Sequence, residues 1–347
     1  METTPFGTTD AGQTVRLFTL RNHHGLQVRV CEYGALVTSV ITPDHEGQAA
    51  EITLGKPDFA SWLDNPDYLG ATVGRFGNRI AHGRFTLDGV EYQLPTNNEP
   101  GGIPCHLHGG PVGFNRRLWK GEPVIRPGAE GVCFSLFSDA SDQGYPGALS
   151  AKVCYWLTGD DELVFEATAT TDAPTPVNLI NHIYWNLSGD PSRTILDHQL
   201  EIQADSYLPT NSGLIPTGKM TPVAGTPLDF TSPTVIGERI DDDFPALKHG
   251  HGYDHCWVLR ESDGDLRPAA NLRDLGSGRV LDIRTNQPGL QFYTGNFLAE
   301  KHTGLCLETQ AFPDSPNQPN FPSSILRPGQ TYRHLTRFRF STIAPLS

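Results

Sequence analysis

Alternation of apolar and polar residues with a period of two recurs along this chain, and it is the signature of strands with one face buried. The clearest stretch is Phe85-Thr86-Leu87, then Asp88-Gly89, then Val90-Glu91-Tyr92-Gln93-Leu94. Asp-Gly between two alternating runs is a strong hairpin signal, because both turn positions need a positive φ. A second hairpin is predicted from Leu149–Leu157 through Gly159-Asp160-Asp161 to Leu163–Ala167. Further strands are expected at Leu26–Tyr33, Leu36–Ile41, Leu200–Ala204 and Val280–Thr285. Helical patterns are few and short, the best being Pro57–Leu63 and Val235–Ile240. The 36 glycines and 28 prolines are scattered, which suits many short strands joined by turns. No fixed-period repeat is visible, which disfavours a propeller or solenoid. The expected fold is all-β: a large, mostly antiparallel β-sandwich with a few short helices and long connections. No linker or low-complexity tract divides the chain, so residues 1–347 are expected to form one domain.

The formal net charge of -13 argues against nucleic acid and anionic membrane surfaces, both of which select basic patches. No apolar run approaches membrane-spanning length, and the N-terminus lacks a basic segment followed by an apolar one. The six cysteines, Cys31, Cys105, Cys133, Cys154, Cys256 and Cys306, show no CxxC spacing, and several lie in apolar runs. A reduced, cytoplasmic protein is the expectation.

Glu308 stands alone in the apolar run Gly304–Phe312. With little water around it, its pKa rises and it becomes a usable proton acceptor; pairing with an arginine is the competing reading. Other polar islands are Gly74–Ile80, with Asn78 between Arg75 and Arg79, and His106-Leu107-His108-Gly109-Gly110. Two histidines on one side of a strand fit either a metal site or a hydrogen-bonding sugar clamp. In Pro176–Leu187, period two places Asn178, His182, Tyr184 and Asn186 on one face. His249–Leu259 carries Asp254 into an apolar strand.

Among the 13 histidines, His106 and His108 with His182 and Glu308 make a conceivable ligand set. Yet no carboxylate follows the His-x-His, and a helical zinc-hydrolase motif is missing, so no metal is expected. Nucleophilic hydrolysis is disfavoured too: there is no Gly-x-Ser-x-Gly elbow and no cysteine in an electropositive setting.

In order along the chain stand GRFGNRI and GRFTLDGVEYQL, HLHGGPVGFNRRLW, TPVNLINHIYWNLSG, DSYLPTNSGLIPTG, GTPLDF, GYDHCWVL, QPGLQFYTGNFL and GLCLETQAFPDSPNQPNFPSSILRPG. Together these resemble the aldose 1-epimerase (galactose mutarotase) family, over nearly the whole chain. The resemblance implies a β-supersandwich that interconverts the α and β anomers of hexoses such as galactose and glucose, without cofactor. It implies Glu308 as general base toward the C1 hydroxyl and His182 as general acid toward the ring oxygen. His108 and Asp254 would hold the sugar, with Asn78, Arg79, Tyr184 and Gln291 completing the contacts. A small aldohexose is the expected partner, and the chain is expected to be a monomer or weak homodimer. Departures from the family pattern are Gly77, Ile180, Ile183 and Cys256, of which Ile183 is expected to influence sugar preference. Two alternatives stand beside this: a hexose-phosphate 1-epimerase, for which Arg116 and Arg117 are the available basic residues, and a non-catalytic sugar-binding module.

Overall fold

In the computed structural model, which describes residues 1–261 and 266–343, strands dominate and every ladder between them is antiparallel. The Asp88-Gly89 turn forms as expected: both residues have positive φ (51° and 82°), and Leu87 pairs with Val90. Leu149–Thr158 and Glu162–Thr171 make the second predicted hairpin. That hairpin lies in a nine-stranded sheet that runs from Lys120–Arg126 at one edge to Thr234–Val235 at the other. Tyr332–Thr342 lies at its centre and joins the hairpin to Arg279–Thr285.

A six-stranded sheet carries the site. Its order is Tyr184–Trp185, Leu305–Gln310, Gly289–Tyr293, Asp254–Leu259, Ala204–Leu208 and Thr221–Pro222. A five-stranded meander spans Glu2–Thr8 to Ala49–Glu51. The run expected at Leu200–Ala204 is split: Gln199–Ile202 belongs to the nine-stranded sheet and Ala204–Leu208 to the six-stranded one, so the chain changes sheet at Gln203.

Between the two large sheets, Tyr155, Phe165, Leu281 and Phe338 of one meet Trp257, Phe292, Leu305 and Leu307 of the other in a single apolar cluster. Helix is confined to short pieces. Phe59–Leu63 is capped by Asp58, whose side chain accepts from the Ser61 N–H. Val235–Ile240 contains only a 3₁₀ turn, Ile236–Glu238, and the helix Pro245–Gly250 was not expected. Among the described residues no helix is long and apolar enough to cross a membrane.

The expectation that all six cysteines are reduced is corrected at one pair. Cys133 and Cys154 face each other across neighbouring strands and are joined in a disulfide. Their meeting depends on strand register, which spacing along the chain does not reveal. The other four cysteines are free and buried.

Candidate active site

Every residue of Leu305–Gln310 is buried, so its alternation is hidden in the sequence. Leu305 and Leu307 pack into the core between the sheets, while the Thr309 hydroxyl meets His334 and Thr336 of the nine-stranded sheet. The opposite face carries Cys306, Glu308 and Gln310, each turned toward one cavity or the groups behind it. On the next strand Gln291 pairs in register with Glu308, flanked by the core residues Leu290 and Phe292. One strand further, Asp254 accepts a 2.7 Å hydrogen bond from the Gln291 amide. The Gln310 amide donates to Gln291 at 3.2 Å, so three adjacent strands present a connected line of polar side chains.

The remaining groups come from the edge strand of this sheet and from, or next to, short two-stranded ladders. His182 ends the strand Ile180–His182, and Tyr184 begins the next one, its hydroxyl donating to the Asp67 carbonyl at 3.0 Å. Asn78 and His108 are non-glycine residues with positive φ (63° and 52°), a conformation that costs about 1–3 kcal/mol and survives only where surroundings enforce it. Here each enforces the other. The His108 N–H donates to the Asn78 carbonyl at 3.0 Å, and the Asn78 N–H donates to His108 Nδ1 at 3.0 Å. The second bond leaves the proton of neutral His108 on Nε2. Arg79 lies between Asn98, at 3.4 Å from Nε, and the Asp254 carboxylate, at 3.9 Å.

These elements surround a cavity of about 410 Å³. Asn78, Arg79, His108, His182, Tyr184, Asp254, Gln291 and Glu308 all line it. Tyr68, Asn98, Leu214, Tyr293 and Phe297 line it too, and sequence reasoning did not single them out. The Tyr68 ring lies 4.7 Å from that of His108 and 5.8 Å from that of His182, centre to centre. Tyr68 and Leu214 also have positive φ (59° and 57°), which no side-chain pattern announces.

Some assignments are corrected. His106 and His108 do not share a side: His106 bonds the Pro95 carbonyl and the Tyr145 hydroxyl, away from the cavity. The positive φ of His108 takes it off the strand and breaks the alternation. Asn178 and Asn186 do not join His182 and Tyr184 in the cavity. Asn178 ties Gly77 to Ala311, and Asn186 holds the carbonyls of Asp190, Arg193 and Thr303. Ile183 and Cys256 are 2% exposed in apolar clusters and do not line the cavity, so neither meets a ligand there. Gly77 and Ile180 are complementary: a Cβ at 77 would come within 2.3 Å of Ile180 Cδ1.

Glu308 is not an arginine-paired carboxylate; among the described residues its salt-bridge neighbour is His182, with Oε1 3.7 Å from Nε2. Its Oε2 has no hydrogen-bond partner there. Burial, and then the nearby Asp254, push the Glu308 carboxyl well above the usual carboxylate range, against the pull of Arg79. Burial lowers His182 to about 4 and holds His108 well below the usual imidazole range. The ligand set considered from sequence is reduced to His108, His182 and Glu308, whose candidate atoms lie within 4.8 Å of one another. A tetrahedral zinc with bonds of about 2.1 Å needs tighter spacing, roughly 3.4 Å, so the three would have to contract around an ion.

Residues 16–339 match the family model described as aldose 1-epimerase. The chain is 44% identical over 341 residues to the galactose mutarotase of Mus musculus, covering 95% of each. It is 39% identical to the aldose 1-epimerase of Escherichia coli K12, covering 95% of this chain and 96% of that one. The crystal structure of galactose 1-epimerase from Lactobacillus acidophilus NCFM superimposes with a TM-score of 0.87 at 27% identity, covering 99% of both chains. With nearly its full length matched, this chain belongs to the aldose 1-epimerase family of isomerases.

Proposed function

We propose that this protein interconverts the α and β anomers of free aldohexoses such as galactose and glucose, with Glu308 as general base and His182 as general acid, and without cofactor. Residues 1–347 act as one domain, as a monomer or weak homodimer. One observation carries the assignment of roles: a carboxylate oxygen and an imidazole nitrogen 3.7 Å apart at the wall of one sugar-sized cavity, both buried. The two oxygens on an anomeric carbon are closer together than that, so each group can face its own oxygen.

Glu308 takes the proton of the C1 hydroxyl as the C1–O5 bond breaks; the bonding pair goes to O5, and His182 delivers a proton there. The aldehyde turns about its bond to C2, and reclosure runs the same steps backwards. The pair needs one proton between its members, on His182 with the closed sugar and on Glu308 with the open aldehyde. Burial raises Glu308 and lowers His182, so the site favours the uncharged arrangement that accompanies the open chain. Positioned acid and base groups of this kind each contribute about 10²–10⁴ in rate. Asp254, Gln291, Asn78, Arg79, Tyr184 and the Nε2–H of His108 supply polar contacts for the hydroxyls.

Free rather than phosphorylated sugars are favoured by charge. Asp67, Glu99, Asp254 and Glu308 line the cavity with Arg79 as the sole guanidinium among its described residues. Neither basic candidate for a phosphate is there: Arg116 lies outside it and Arg117 is 2.6 Å from Asp142. A purely sugar-binding role would not require both proton carriers. The test is polarimetry of fresh α-D-galactose, α-D-glucose and glucose 6-phosphate. Accelerated relaxation of the neutral sugars is expected. Binding of galactose with relaxation at the spontaneous rate would overturn the proposal.

A further inference from the structure

We propose that Cys306 is a positioning residue for His182: its sulfur accepts the Nδ1–H of the imidazole and so leaves Nε2 as the nitrogen that exchanges the proton. The inference rests on the role of His182 proposed above. Cys306 Sγ lies 3.5 Å from His182 Nδ1, and both residues are buried, Cys306 completely. No other side chain among the described residues bonds that nitrogen. Nε2 is the ring atom beside Glu308.

The chemistry decides which atom donates. A general acid that gives up its Nε2 proton becomes a neutral imidazole with hydrogen on Nδ1, and it must regain the Nε2 proton when the ring recloses. Nδ1 therefore keeps its hydrogen throughout the cycle and needs an acceptor that never takes it away. A neutral thiol is a weak acceptor of that kind. Burial holds the Cys306 thiol well above its ordinary pKa, so it stays protonated and forms no thiolate that would trap His182 as imidazolium. Period two links this to the base: Cys306 and Glu308 share one face of one strand, so a single element orients the acid through its far nitrogen and supplies the base at its near one.

His108 provides the contrast. Its Nδ1 accepts the Asn78 N–H, which places its hydrogen on Nε2 as a fixed donor. The two rings, 5.1 Å apart, therefore hold opposite tautomers.

The experiment is nitrogen-15 NMR of the histidine rings of wild-type protein, with kinetics of Cys306→Ala and Cys306→Ser. Wild-type His182 is expected as the Nδ1–H tautomer and His108 as Nε2–H. Cys306→Ala should mix the His182 tautomers and lower kcat about fivefold, the worth of one neutral hydrogen bond, while KM stays near wild type. Cys306→Ser restores an acceptor and should recover most of kcat. A wild-type His182 that carries its neutral proton on Nε2 overturns the inference, whether or not the variants fold. So does a folded Cys306→Ala with unchanged kcat. His182→Asn separates the two levels: full turnover there removes the acid itself, whereas lost turnover there with normal Cys306→Ala removes only the role of the thiol.

Discussion

Replacing Glu308 by glutamine keeps the shape of the side chain and removes its capacity to carry a proton. Loss of a positioned base is expected to lower turnover by about 10²–10⁴, which is about 3–5 kcal/mol of barrier at 1.36 kcal/mol per tenfold. No partner is stranded by the change, because no arginine lies within salt-bridge distance of the carboxylate among the described residues and Oε2 is unbonded. Stability should respond with a definite sign. The folded protein holds the Glu308 proton more tightly than the unfolded chain, whose carboxyl titrates near the ordinary 4.5. As pH rises above that value the unfolded state loses its proton first, so the wild type is destabilised by up to about 1.4 kcal/mol per pH unit until the folded group ionises. Glu308→Gln lacks this penalty. Its stability relative to wild type should therefore improve from pH 4.5 upward, as read from urea melts. Polarimetry of fresh α-D-galactose gives turnover, and calorimetric titration of galactose should show binding little changed. Near-normal turnover by the folded variant would refute the reasoning, as would a stability advantage that shrinks with rising pH.

His182→Asn should lower kcat by about 10²–10⁴ with a small change in sugar affinity; kcat near wild type in folded protein would exclude the imidazole as acid. His106, His182, His198, His255 and His334 are all lowered to about 4 by burial, below the 6.5 of an ordinary histidine. Their contribution to stability is thus complete above pH 6.5 and is lost as pH falls toward 4, each by up to about 1.4 kcal/mol per unit. Thermal melts that do not move between pH 7 and 5 would contradict this burial. Gly77→Ala forces a methyl group to within 2.3 Å of Ile180 Cδ1 and should cost about 1–3 kcal/mol. Ile180→Ala should relieve that clash, making the double variant less destabilised than the sum of the singles; denaturant melts that sum simply would mean the two sites are uncoupled.

Local signals were the legible part of this fold. Asp88-Gly89 announces its own turn, and alternation is legible over Leu149–Val153 because Ser150 and Lys152 face outward and are exposed. Glu308 could be noticed only as a polar residue in an apolar run, since both faces of its strand are buried: one against the core, one around the cavity. The eight named site residues could be gathered from sequence only by family resemblance, because no spacing connects Asn78, Arg79, His108 and His182 with the sheet strands that carry Tyr184, Asp254, Gln291 and Glu308. What remained hidden depends on backbone reversal or distant register. Tyr68, His108 and Leu214 are turned toward the cavity by positive φ, and Cys133 meets Cys154 only because their strands align. Asn178 and Asn186 have the right period, yet backbone groups claim both amides.

The most direct test of a proton shared across the Glu308–His182 gap is the double variant Glu308→Gln/His182→Asn beside each single one, with anomer exchange followed by polarimetry. Groups that act as a unit lose their effect once either is gone, so the double variant should be scarcely slower than the slower single variant. Losses that multiply in full, so that the double variant falls by the product of the two, would show that the carboxylate and the imidazole work independently, and the central claim would not stand.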